Sequence, residues 1–368
     1  MKTAASVTVE PLPRGRPAWE IPLVVALLAA AVWAACFAFP AVWIITGIGE
    51  PDKPFLDLRN LISAGESLQR GLDPHVTNPL DPYHRLHGFS DWWLVMGKLG
   101  VTGSDLVWIG TLLLVLVLVG AGWVSRPTTW REGRDLLLAL VSPPLLMAAH
   151  RANHDLVAFV LMCGSLVALR RGGAVARSIA IVLLAVSAVL KYFPLAAVVL
   201  LIEARTRREL LRWIVLYVGV LLVAWPSLER SLGVAAANQP APAWLYAFGA
   251  PVIFRNLEWS HANLLGWLIT AGLAAVILLR PRPATDPAAA MRPSPEFLGA
   301  AIMLVGCFLH GSSYAYKWVF SLWLLPWWWG HADGPGNENS RRWQRRLWLA
   351  VLWFEGLAAI AINLAANY

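Results

Sequence analysis

Four short stretches of this sequence carry residues capable of chemistry, and each also has a structural reading. Asp57 heads a run in which Leu58, Leu61, Ile62, Gly65 and Leu68 recur at helical spacing until Gly71. From spacing alone its carboxylate reads as a helix N-cap, because Asp is among the preferred residues there. The second stretch, His150-Arg151-Ala152-Asn153-His154-Asp155, is polar at five of its six positions. His150 and His154 have the i, i+4 spacing of metal ligands but lack the His-Glu-x-x-His pattern, so no metal site is expected. Arg151 and Asp155, also four apart, suit an ion pair. The third, Lys191-Tyr192-Phe193-Pro194, interrupts the apolar run 176–202, where a cation is costly in lipid; it could snorkel to the interface, but its place mid-run beside Pro194 favours function. The fourth is Tyr314-Ala315-Tyr316-Lys317, whose tyrosines suit an interfacial belt as well as a ligand platform. Asp52, Asp73 and Asp81 stand beside prolines and read as turn residues.

The scaffold that must position these residues faces lipid. Of 368 residues, 58% are apolar and only 14% charged, and the mean hydropathy is +0.58. A water-soluble domain runs near 45–50% apolar and about a quarter charged, and disordered chains are poorer still in hydrophobics. The composition therefore excludes both. The three cysteines, Cys36, Cys163 and Cys307, all lie in apolar runs and define neither a disulfide framework nor a metal site. The first run, from Ile21 to Gly47, exceeds the ~7–15 residues of a signal-peptide core and reads as a retained membrane helix. Further runs cover 104–124, 135–149, 155–169, 176–202, 211–226, 261–280, 297–311, 318–330 and 347–366. The chain reads as one all-α polytopic domain over 1–368, with long outer loops at 48–103 and 227–260.

Basic residues set the orientation. With the N-terminus cytoplasmic, the clusters at 126–134, 170–177, 205–212, 280–292 and 341–346 all fall inside, leaving the outer face nearly neutral. The net charge of +8 therefore serves topology, and no nucleic-acid partner is expected. The clusters at 170–177 and 205–212 flank a single apolar run, yet both belong in the cytoplasm. Proline removes a backbone donor and disfavours helix just before it, so this run is expected to form a broken hairpin turning at Lys191–Pro194. Its arms are too short for a ~30 Å bilayer, and the turn must lie in protein or a water-filled cavity. That gives eleven passes, two of them half-length. Ser142-Pro143-Pro144 shortens the run ending at His150, and the run 318–330 is short as well. Three thinned segments thus point polar residues at one outward cavity.

An outer Asp opening a helix that ends in Gly-x-Asp-Pro, after a long first membrane helix, resembles the polytopic GT-C glycosyltransferases. The patch at 150–155, the Arg-rich inner loop, Lys191-Tyr192-Phe193-Pro194 and Tyr314-Ala315-Tyr316-Lys317 are most similar to glycosyltransferase family 87, the polyprenyl-phosphate-mannose-dependent mannosyltransferases. The likeness spans residues 20 to about 330. His75 stands where that family commonly has an aromatic, Gly88-Phe89-Ser90-Asp91-Trp92-Trp93 replaces a Tyr-x-Pro-type entry, and the 150–155 patch replaces a Gly-Gln step. The resemblance implies inverting transfer of a sugar, mannose or another hexose or pentose, from a polyprenyl-phosphate carrier to a lipid or glycan acceptor outside the plasma (inner) membrane. Asp57 would be the general base. Arg151, Lys191, Lys317 and His150 would hold the donor phosphate, and His154, Asp155, Tyr192, Tyr314, Tyr316 and His75 would contact substrate. A phosphate leaving group of this kind requires no cofactor or divalent metal.

A transporter or flippase of lipid-linked sugars would also need broken helices and buried cations. Such proteins commonly show internal repeats and midplane polar residues on several helices, and this sequence shows neither clearly. A non-catalytic scaffold leaves the lysine inside an apolar hairpin without a use.

Overall fold

Prolines, more than hydropathy, decide where the helices of this chain begin and end. The computed structural model describes residues 19–48, 52–237, 246–249, 252, 254, 257, 261–279, 294–310, 313–330 and 338–367. Among these the fold is all-α, with a single two-residue ladder pairing β1 (Ala247–Phe248) with β2 (Ser313–Tyr314). The N-terminal layer comprises α1 (Glu20–Ala38), α2 (Ala41–Thr46), the amphipathic α3 (Leu56–Gln69) and the short α4 (Val95–Lys98). The body comprises α5 (Leu106–Ser125), α6 (Trp130–Leu140), α7 (Pro143–Arg151), α8 (His154–Arg171), α9 (Ala174–Leu190) and α10 (Arg207–Ala237). It closes with α11 (Ala262–Leu279), α12 (Pro295–His310), α13 (Leu325–Trp329) and α14 (Glu338–Asn367). Phe193–Glu203 and Ala315–Leu324 are 3-10 helices.

Among the described residues, three helical segments are long and apolar enough to cross a membrane: Glu20–Ala38, Gly103–Ser125 and Arg207–Val234. The pair α7 and α8, bent by 103°, makes a fourth if taken as one span. Their outer surfaces carry leucines, valines and tryptophans in the open, among them Leu27, Val107, Leu211, Leu222 and Val223. A water-facing helix would be polar there. The expected eleven passes outnumber these spans: breaks leave short helices such as α7, with 9 residues, and α13, with 5, although the run 347–366 lies unbroken within α14. The expected outer loop at 227–260 also begins later than the sequence suggested, since α10 carries Pro226 within it and continues to Ala237.

Each break frees a backbone carbonyl that a nearby donor then satisfies. Pro144, Pro194 and Pro326 lack the N–H that would reach the carbonyl four residues earlier. Leu140 O accepts instead from Trp33 Nε1 at 3.1 Å and Leu190 O from Trp93 Nε1 at 3.0 Å, while Leu322 O keeps the Leu325 N–H and accepts from Ser125 Oγ as well, at 3.3 Å. Ala139 O, opposite Pro143, accepts from Ser142 Oγ at 2.6 Å, and Trp353 Nε1 donates to Leu138 O beside it. An unpaired peptide group costs several kcal/mol in lipid, so these side chains are what make broken helices tolerable.

The hairpin expected at Lys191–Pro194 is present. Lys191 leaves α9 in extended geometry (φ −150°, ψ 119°), and the 3-10 arm runs back along α9. Arg177, at the start of α9, donates to Glu203 O at the end of that arm and pairs with Glu209 at 3.2 Å. Both flanking basic clusters therefore sit at the hairpin's base, at the end opposite Lys191. That same end is tied by Arg345–Asp135 at 3.2 Å and Arg170–Glu296 at 2.6 Å.

Candidate functional site

At the opposite end, the broken helices bring their tips together. The α7–α8 bend is made by Ala152, whose φ of 42° is left-handed. Phe55, just ahead of α3, is also left-handed with φ 58°, and its N–H donates to His150 O at 2.6 Å. Non-glycine residues in this region cost on the order of 1–2 kcal/mol each. That two of them lock the start of α3 to the bend points to a geometry the fold must enforce. Farther along α3, a Cβ on Gly65 would stand 2.8 Å from Gly97 N, so only glycine lets the outer loop pack this closely.

Asp57 lies between these devices. Arg151 engages it with two bonds, Nε to Oδ2 at 2.9 Å and Nη2 to Oδ1 at 2.7 Å. Asn153 Nδ2 donates at 2.6 Å and Arg85 Nη1 at 3.1 Å. Burial raises the carboxyl's pKa, but the charge and hydrogen bonds of Arg151 outweigh it and hold the group well below the usual carboxylate range. The N-cap reading fails: the cap position is Phe55, with no side-chain cap bond, and Asp57 is the second residue of α3. Arg85 also pairs with Asp81 at 2.8 Å. Asp81 keeps its turn role through the backbone N–H of Tyr83, and despite burial its pKa is lowered by Arg85.

Asn153 joins this group to a second one. Its Oδ1 accepts from the Asp155 N–H at 2.8 Å, capping α8. The Asp155 carboxylate, with no solvent exposure, lies 2.5 Å from Lys317 Nζ and 3.0 Å from Lys191 Nζ. Lys191 also contacts His154 Nε2. The ring of Phe193 lies under both ammonium groups, 3.8 Å from Lys317 and 5.8 Å from Lys191, and Phe89 lies 4.9 Å from Lys191. Such aromatic faces attract desolvated cations. Across the two groups, Asp57, Asp81 and Asp155 face Arg85, Arg151, Lys191 and Lys317. Three carboxylates meet four cations, and the site carries an uncompensated positive charge.

The structure thus brings together Asp57, Arg151, His154, Asp155, Lys191 and Lys317, with Tyr314 and Tyr316 alongside. The Arg151 guanidinium lies 5.7 Å from the Tyr314 ring, and the two tyrosine rings are 5.6 Å apart. The expected Arg151–Asp155 pair does not form, because the Ala152 bend sends the two side chains to different partners. The same bend ends the shared face of His150 and His154. His150 turns away from the lysines and packs on Trp43 and Phe37, with ring centroids 4.4 and 5.9 Å apart, so the phosphate-binding role expected for it is not supported. Tyr192 donates to Gly88 O at 3.0 Å, outside the cluster. His75 also lies outside it, 2.7 Å from Asp91. Trp244 and Trp259, in the second long loop, fall outside the described residues.

Arg85, Asn153 and Phe89 were missed. Asn153 was signalled by its place before an apolar run, the position of an N-cap. Arg85 and Phe89 lie on irregular backbone, where no periodicity points at them. Among the described residues no group of three or more His, Cys, Asp or Glu could hold a metal ion. No protein-family model matches this sequence, and no curated protein shows significant similarity to it.

Proposed function

We propose that this protein is an inverting glycosyltransferase of the GT-C type, taking its sugar from a polyprenyl-phosphate donor at the outer face of the plasma membrane. The observation that carries the reading is the buried cluster with one cation in excess, presented by helix tips at one end of a lipid-facing bundle. An uncompensated buried cation is costly unless an anion joins it, and a lipid phosphate reaches such a site from within the bilayer. The bonds of Arg177 to Glu203 O and to Glu209 keep the two basic clusters at one end, as a topology with the basic loops and N-terminus cytoplasmic requires. Eleven passes, with the hairpin counted as two half-length ones, remain the topology that best satisfies the charge distribution.

In the proposed reaction the donor phosphate draws Arg151 toward it, beside Lys191 and Lys317. Asp57 is a poor base while Arg151 holds it, since a depressed pKa weakens proton acceptance. Releasing part of that pairing raises its basicity only when donor is bound. The acceptor hydroxyl then attacks the anomeric carbon from the face opposite the phosphate. The carbon–oxygen bond to phosphate breaks, and polyprenyl phosphate leaves with the electron pair, stabilised by the cations. Asp57 takes the hydroxyl proton, and the new linkage has inverted configuration.

The test incubates purified protein with radiolabelled polyprenyl-phosphate mannose and a membrane lipid extract, comparing wild type with Asp57→Asn. Transfer by wild type and its loss in the variant are expected. Transfer unchanged in Asp57→Asn refutes the base assignment. Translocation of lipid-linked sugar in liposomes, with no transfer from any donor, establishes a transporter instead.

A further inference from the structure

A second polar feature lies far from this site, at the base of the hairpin. An apolar groove of about 360 Å³ runs between α9 and α10, lined by Val175, Ile179, Val182 and Leu183 on one side and Leu216 on the other, with Arg212 at its rim. The volume lies within the range of small-molecule sites, about 300–1,000 Å³. Val175 and Ile179 are 75% and 51% exposed, so the groove is open along its α9 wall. From Val175 to Leu183 the groove extends about 12 Å along the helix axis. Arg208 stands one turn before Arg212 on the same face of α10. Among the described residues neither has an ion pair or side-chain hydrogen bond, whereas Arg177, close by, is occupied by Glu203 and Glu209. Cations thus collect where both helices begin, and the apolar part runs from there toward the middle of a spanning helix.

We propose that this groove binds an anionic phospholipid of the surrounding leaflet, an acyl chain lying along Ile179 and Leu183 and the headgroup phosphate on Arg212 and Arg208. Charge complementarity selects the occupant: a zwitterionic lipid matches the groove's apolar wall but offers no net charge to the two guanidinium groups. A guanidinium fork suits phosphate oxygens, and basic pockets between membrane helices bind anionic headgroups. The site rests on α10 crossing the membrane and not on sugar transfer. Because α9 ends at Lys191, the lipid would hold the base of the same hairpin whose tip supplies that lysine.

The test is native mass spectrometry of the full-length protein released from detergent, titrated with phosphatidylglycerol or phosphatidylcholine. Preferential retention of phosphatidylglycerol is expected. Arg208→Glu/Arg212→Glu should lower it at least roughly ten-fold, or 1.4 kcal/mol. Ile179→Trp, which fills the groove and leaves the charges, should lower it as well. Arg131→Glu, a charge reversal on another basic loop, should not, and inorganic phosphate should not compete. Equal retention of phosphatidylcholine overturns the proposal, as does retention unaffected by the groove variants or lost equally in Arg131→Glu. Displacement by polyprenyl phosphate in preference to phospholipid overturns the assigned occupant. None of these outcomes bears on the transfer assay.

Discussion

Removing the charge of Asp155 tests the electrostatics of the site most directly. Its carboxylate has no exposure and serves two ammonium groups, 2.5 and 3.0 Å away, whose side chains are 5% and 12% exposed. Asp155→Asn preserves shape and leaves two buried cations facing each other. Breaking a buried pair by removing one partner costs about 3–5 kcal/mol, and with two partners stranded the loss should fall within that range even though His154 still contacts Lys191. Lys317→Met alone removes the surplus cation and leaves a neutral Asp155–Lys191 pair, so its stability cost should stay below about 1 kcal/mol. Adding Lys317→Met to Asp155→Asn should then recover roughly 1–3 kcal/mol, a coupling typical of contacting residues. Unfolding free energies from denaturant titration in mixed micelles give all four corners of the cycle. The charge argument fails if Asp155→Asn lies within 1 kcal/mol of wild type, or if Lys317→Met costs as much as Asp155→Asn.

Further expectations follow from other parts of the structure. Arg151→Lys keeps the charge and loses the two-bonded grip on Asp57, so the proposed sugar transfer should fall at least about ten-fold while the fold persists by circular dichroism. Burial lowers the pKa of His87 to about 4, so it stays neutral in the fold while the unfolded chain takes up its proton below about 6.5. The His87 share of stability should therefore decline by up to about 3 kcal/mol as pH falls from 6.5 to 4, and His87→Gln should remove that share of the slope. Asp57, whose pKa is depressed, adds none in this window, because its contribution is lost only as pH falls through its lower folded value. Gly65→Ala drives a Cβ into the Gly97 backbone and should destabilise by about 1–3 kcal/mol, read as a lower unfolding midpoint. Thr206→Cys and Ser313→Cys should label from opposite sides of the membrane in intact cells. The native cysteines are buried and should stay silent.

What the sequence made legible was whatever leaves a mark on the one-dimensional pattern. A lysine inside an apolar run, a proline three residues on and basic clusters at both ends were enough to find the hairpin. The convergence of Asp57, Asp155, Lys191 and Lys317 followed from asking which ends of shortened runs shared a side. Partner choice was not legible. Arg151 and Asp155 have the spacing of a helical pair, and only the left-handed Ala152 separates them, a conformation no alanine advertises. His150 and His154 misled for the same reason. Arg85 came from a loop without periodicity, and its role depends on the fold of 78–90 around α3. The count of passes suffered differently, because hydropathy registers apolar length and is insensitive to a freed carbonyl that a distant indole satisfies.

Those satisfied carbonyls carry a consequence for biosynthesis. Trp33 precedes Leu140 by 107 residues, Trp93 precedes Leu190 by 97, and Ser125 precedes Leu322 by 197. In all three the donor leaves the ribosome first, so the carbonyls freed at Leu140 and Leu190 enter the bilayer after the groups that will satisfy them already exist. Trp353, serving Leu138, arrives much later. Assembly can therefore proceed vectorially, each new kink docking onto finished structure, and a ribosome stalled after any of these breaks would leave behind a membrane intermediate with that carbonyl's donor already in place.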